Sequence, residues 1–301
     1  IKKLGGGVRL ALAQYREREQ RLLDQVRTDI TPQLGDADRL PHNRFNPGSL
    51  SDPNVWAVNW NRTFVLQPEG DVNGGVLLLH GLTDSPYSLR SIGLALAARG
   101  YRVVGLRLPG HGIAPAGLLR FEVEDLEAAT RLAMRDLRAA LGEPKPIHMI
   151  GYSNGAALAV SYALDARTDA TLPRPAGLVL ISPAIGITRL AAIGRIRTGL
   201  SDLQGFGRAA WQLIEAEVDP YKYQSFSFNA AGATQRLTSG LSRRVAAIAS
   251  QGPVRAMPPI LAFVSTVDST VQVPAVIDSL LGRLAPEGHE LVVFDVNRLS
   301  V

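Results

Sequence analysis

Cysteine is absent from all 301 residues. Disulfide staples and thiolate chemistry are therefore excluded. The compartment stays open, because a chain of this length builds a core without staples anywhere. Long apolar runs are also missing. The one stretch that resembles such a run, Pro146 to Leu164, carries no formal charge, but Pro146, His148, Gly151, Ser153, Asn154 and Gly155 interrupt it. A membrane span needs about 20 predominantly apolar residues, so a buried strand, a turn and a helix fit this stretch better. Nor is there a repeat or a low-complexity tract. At 46% hydrophobic and 20% charged residues, the composition is that of a folded globular chain.

Charge of one sign is also scarce outside the beginning of the chain. The formal net charge is +5, of which residues 1–30 hold +3. The body is close to neutral, so no nucleic-acid groove is expected. Residue 1 is isoleucine, and a preceding segment, such as a signal peptide or membrane anchor, is expected. A basic stretch beside such an anchor would suit an envelope protein, since anionic lipid attracts each Lys or Arg by about 1 kcal/mol. The expectation is thus association with a membrane surface through the N-terminal segment, with a cell-envelope location set against a cytoplasmic one.

Val8 to Ile30 reads as a charged helix, with Glu17 and Arg21 paired at i,i+4. It serves either as a tether outside the body or as a helix packed on it through Leu12, Leu22, Leu23 and Val26. Residues 31–54, rich in Pro, Asp, Asn and Gly, read as a loop. From about Trp56 the pattern alternates. Strands are expected over Gly75–His80, Tyr101–Leu106, Pro146–Ile150, Ala176–Ile181, Ile260–Ser265 and Glu290–Asp295. Helices are expected over Ser85–Gly100, Phe121–Leu141, Asn154–Asp165 and Pro274–Leu284. Such alternation predicts an α/β fold, a mostly parallel sheet with helices on both faces. Between Pro183 and Pro259 no buried strand of this type appears, and the segment reads as an inserted helical lid. The expected organisation is an extension (1–55), a core (56–182 and 260–301) and a cap (183–259).

Gly151-Tyr-Ser-Asn-Gly155 matches G-x-S-x-G. Chance alone yields on the order of 0.1–0.2 such matches in a chain of this size. Here the motif follows a strand directly and opens a helix, which throws the serine into a sharp exposed turn. The alternative is a serine that merely caps the helix. His80-Gly-Leu-Thr-Asp-Ser-Pro86 ends an earlier strand. Its Leu82 N–H and the Asn154 N–H at the elbow are the candidate donors to an oxyanion. By itself the loop is equally an ordinary strand-to-helix turn. No H-E-x-x-H, Walker loop or G-x-G-x-x-G after a strand occurs, so neither a cofactor nor a metal is expected.

Together with Pro109-Gly-His-Gly112, these motifs make the stretch from Trp56 to Asp295 resemble the α/β-hydrolase superfamily, in particular its monoacylglycerol lipase and bacterial carboxylesterase group. The resemblance implies an α/β-hydrolase fold and a serine esterase acting on small-molecule esters through an acyl-enzyme on Ser153. It also implies that the triad acid follows the next-to-last strand, where Asp268 stands. The triad histidine should follow the last strand. Of His42, His80, His111, His148 and His289, none has that position, and the histidine is expected beyond residue 301. A serine peptidase or acyltransferase on the same triad, or a binding protein that lacks the histidine, are the alternatives.

Overall fold

The computed structural model describes residues 11–185, 207–268, 273–286 and 288–295. Nine strands are placed among these residues: β1 (Phe64–Leu66), β2 (Gly74–Leu79), β3 (Tyr101–Leu106), β4 (Ile147–Tyr152), β5 (Gly177–Ile181), β6 (Trp211–Leu213), β7 (Phe226–Ser227), β8 (Ile260–Ser265) and β9 (His289–Phe294). The helices are α1 (Leu12–Gln25), α2 (Arg90–Ala97), α3 (Val123–Leu141), α4 (Asn154–Ala166), α5 (Phe228–Ala249) and α6 (Val273–Ser279).

Seven strands form one sheet in the order β1-β3-β2-β4-β5-β8-β9. Only β1 runs antiparallel to its neighbour; the other pairings are parallel. The central strand β2 is buried at all six positions, as expected of an apolar strand covered on both faces. On α3, Leu126, Ala129, Ala133, Met134 and Leu137 form the buried stripe. The uncharged stretch from Pro146 resolves into β4, a one-residue turn and α4.

One departure from the sequence reading concerns an edge of the sheet. Strand β1 was not foreseen. It is three residues long, and its Phe64 ring lies where a Cβ on Gly105 would sit 2.2 Å from a ring carbon, so the glycine in β3 makes room for it. Of the two alternatives for the N-terminal segment, its described part takes the packed one. Leu12 and Tyr15 of α1 belong to the main apolar core, and Glu19 beside them is 2% exposed. Leu22, by contrast, is exposed. No described helix is long and apolar enough to cross a membrane.

The expected lid divides. Helix α5 is capped by Ser227, whose Oγ accepts from the Ala230 N–H at 3.0 Å and donates to the Leu118 carbonyl at 2.8 Å. Its Arg244 pairs with Asp165 of α4, and Leu237, Leu241 and Val245 lie in the core, so α5 is part of the body. The stretch before it, with the β6–β7 ribbon, lies beside the loop after β2. Residues 186–206 fall outside the described residues.

Candidate active site

Strand β4 ends at Tyr152 and α4 begins at Asn154, leaving Ser153 alone at the turn with φ 52° and ψ −114°. A β-carbon-bearing residue at positive φ is strained, and such strain persists only where the surroundings over-determine it. Here they do. The Ser153 N–H donates to the Ile181 carbonyl at 2.9 Å, and the Ser153 carbonyl accepts from Ala156, Ala157 and Ala184. The flanking glycines are steric necessities. A Cβ on Gly151 would sit 2.5 Å from the Ala156 backbone, and one on Gly155 2.1 Å from the Leu79 carbonyl oxygen. Ser153 makes no side-chain capping bond to α4, so the cap reading loses its support. The positive end of α4 points at this corner.

The loop after β2 meets the elbow directly, since a Cβ on Gly81 would touch the Tyr152 ring at 3.0 Å. Leu82 is the residue after this contact, and Asn154 is the residue after Ser153. Leu82 is partly buried against the core, and Asn154 is 1% exposed. The Asn154 side-chain amide, buried beside the elbow, has no hydrogen-bond partner among the described residues.

Asp268 lies in the turn after β8, half-buried, at the same edge of the sheet. Tyr152 pairs with Ile181, and Ile181 with Phe263, so the ends of β4, β5 and β8 are level. Two inter-strand spacings, about 10 Å, separate the backbones of β4 and β8. The structure therefore brings Ser153, Leu82 and Asn154 together and sets Asp268 two strands away along the same rim.

The histidines are distributed as the chain order implied. His289 pairs with Ile260 at the start of β9, at the opposite end of the sheet from Ser153. His148 lies within β4, and burial lowers its pKa. His80 is buried beneath the loop after β2. Its Nδ1 lies 2.8 Å from the Gly81 carbonyl, and its Nε2 accepts from the Leu108 N–H at 3.0 Å. Burial, with His111 nearby, holds it well below the ordinary imidazole value, so it stays neutral. His111 packs edge-on against it with ring centroids 5.2 Å apart, and burial pushes its pKa down to about 4.

Sequence reasoning missed the group that holds these loops from outside. The Glu19 carboxylate accepts from Arg107 Nε at 2.7 Å, from Thr63 Oγ1 at 2.7 Å and from the Thr63 N–H at 3.1 Å. Arg107 Nη1 donates to the His111 carbonyl at 2.8 Å, and the Tyr15 hydroxyl donates to the Arg107 carbonyl at 2.7 Å. Burial alone would lower the Arg107 pKa; Tyr15 and Glu19 outweigh it and hold it above its ordinary value. The available signal was the Leu12, Tyr15, Glu19 spacing, a helical stripe with a carboxylate in it.

On the other side, the Tyr223 N–H donates to the Thr83 carbonyl at 2.8 Å, and the Tyr223 hydroxyl accepts from the Ile113 N–H at 2.8 Å. Burial pushes the Tyr223 phenol up to about 12. Tyr221 stacks on Tyr87 at 3.9 Å. Buried Arg44, from the N-terminal loop, donates to the Pro220 carbonyl at 3.1 Å and lies over the Tyr223 ring. Tyr221 and Tyr223 therefore pack on the body.

Residues 75–194 match the family model described as the α/β hydrolase fold. A thermostable monoacylglycerol lipase from Bacillus sp. (strain H-257) is 32% identical over 118 residues, 39% of this chain and 44% of that protein. The chain thus spans under half the length of the curated relative it matches. Among solved structures, one from a study of LipS and LipT, two metagenome-derived lipolytic enzymes, superposes with a TM-score of 0.62 at 23% identity, covering 79% of this chain and 89% of the other. A soluble variant of monoglyceride lipase from Saccharomyces cerevisiae gives 0.57 at 16% identity, over 78% and 82% of the two chains.

Proposed function

We propose that this chain, which has the α/β-hydrolase fold, is a carboxylic ester hydrolase with Ser153 as its nucleophile. The observation that carries the reading is the backbone at Ser153: a positive φ held by backbone hydrogen bonds and flanked by glycines that admit no Cβ, at the end of a central parallel strand. Ligands in open parallel sheets bind outside the carboxyl ends of the strands, and that is where Ser153 stands.

In this scheme Ser153 Oγ attacks the ester carbonyl carbon, and its proton passes to a histidine following β9, the position that the family order assigns. The carbonyl oxygen becomes an oxyanion facing the Leu82 and Asn154 N–H groups. Collapse expels the alcohol, which takes the proton from the imidazolium, and leaves the acyl group on Ser153. Water then adds to the acyl carbon, giving its proton to the same imidazole, and the acid leaves with Ser153 Oγ reprotonated. Asp268 orients the histidine and stabilises its charge. The similarity to lipases and esterases favours short-to-medium acyl or monoacylglycerol-like esters over peptides. Of the expected cap, the stretch before α5 is proposed to shape the acyl or alcohol pocket, α5 itself being part of the body.

The test is hydrolysis of p-nitrophenyl esters of increasing chain length by the wild type and by Ser153→Ala. The wild type should turn over the series with a chain-length optimum, and the alanine variant should lose several orders of magnitude in kcat. A wild type that binds these esters without hydrolysing them overturns the enzyme in favour of a binding protein.

A further inference from the structure

The buried Glu19 lies on α1, outside the region that matches the family model, yet it sits two hydrogen bonds from the rim of the candidate site. We infer that Glu19 is a positioning residue for the reaction proposed above, holding through Arg107 the loop that carries the Leu82 donor. The inference rests on that reading.

The path is continuous. Glu19 fixes Arg107 from both sides: directly at Nε, and through Thr63, whose Oγ1 donates to Glu19 and accepts the Arg107 N–H at 3.0 Å. Arg107 in turn ties down the next turn of chain, its Nη1 on the His111 carbonyl. Leu108, the residue after Arg107, gives its N–H to His80 Nε2, and His80 holds the Gly81 carbonyl through Nδ1. Leu82 follows Gly81 in the chain. The His80 and Leu79 carbonyls also crowd Gly155, with 2.6 and 2.1 Å to the place of its Cβ, so a shift of His80 reaches the elbow as well. Both candidate oxyanion donors therefore rest on one strut whose far end is a carboxylate on the N-terminal helix.

Oxyanion donors act only in correct geometry, and a misplacement of about 1 Å costs roughly 100-fold in rate. Their loss falls on the transition state and leaves ground-state binding nearly intact. Glu19→Gln keeps the shape of the side chain and removes its charge. The expected result is a fall in kcat of about 10- to 100-fold with KM changed by less than about threefold. An alkyl trifluoromethyl ketone should lose affinity in parallel with kcat. Its carbonyl carbon takes the Ser153 oxygen, the serine proton goes to the base, and the resulting oxyanion needs the same two donors. A role confined to stability would lower the melting temperature and move neither kcat nor ketone affinity at a temperature where the variant is folded. Where Glu19→Gln does not fold, Arg107→Lys makes the same test, because an ammonium keeps the charge but cannot span Glu19 and the His111 carbonyl together. A folded variant with kcat and ketone affinity within about twofold of wild type overturns the inference while leaving the esterase reading in place. A wild type inactive on every ester overturns both.

Discussion

The Leu108 N–H donates to His80 Nε2 across 3.0 Å, and this bond decides the state of the imidazole. With Nε2 accepting, the proton must sit on Nδ1, where it is given to the Gly81 carbonyl at 2.8 Å. His80 is thus a neutral strut between the β2 and β3 loops and has no lone pair left for a general base.

The buried histidines give folding a pH dependence of defined sign. Burial lowers the values of His80, His111 and His148 below 6.5, His111 to about 4. The folded protein therefore binds fewer protons than the unfolded chain between about pH 4 and 6.5. Stability is fully present above that window and is lost as pH falls through it. For His111 alone, at about 1.4 kcal/mol per unit, the loss is on the order of 3 kcal/mol. Calorimetry at about pH 5.5 in two buffers of different ionisation enthalpy should show unfolding to take up roughly two to three protons. No net uptake would contradict the neutral, buried assignment.

The elbow glycines should tolerate no side chain. Gly155→Ala places a methyl 2.1 Å from the Leu79 carbonyl oxygen, which is backbone of a fully buried strand and cannot swing aside. A loss of at least about 3 kcal/mol in urea unfolding is expected, together with loss of esterase activity. A variant within about 1 kcal/mol of wild type would mean that α4 and β2 do not pack as closely as described.

Much of this architecture was legible in the chain. Strands β3 and β8 fall on the expected residues because each is a short apolar run closed by turn residues. The elbow was legible because its chemistry is local: strand, glycine, serine, glycine, helix. What escaped depends on contacts remote in sequence. On α1 the leucine pattern points to Leu12, which is buried, but Tyr15 and Glu19 complete that face, and the partner of Glu19, Arg107, lies 88 residues downstream. Strand β1 has three residues, too few for periodicity, and its place depends on the gap at Gly105.

Asp268 stands after β8, on the same rim of the sheet as Ser153. If it orients the triad histidine, Asp268→Asn should lower kcat by about 10⁴ while the fold survives, because the amide favours the wrong imidazole tautomer. Steady-state rates on a p-nitrophenyl ester decide this. A kinetically silent variant would move the acid elsewhere along the rim.

Covalent labelling is a direct probe of Ser153 as the proposed activated nucleophile. A fluorophosphonate transfers its phosphonyl group to an activated serine oxygen, with fluoride leaving and the serine proton taken by the base. Peptide mass spectrometry of the labelled protein should place one adduct on Ser153, with none formed by Ser153→Ala or by heat-unfolded protein. An unlabelled Ser153 in folded wild type, or an adduct of equal yield on another serine, would mean that Ser153 is not the activated nucleophile.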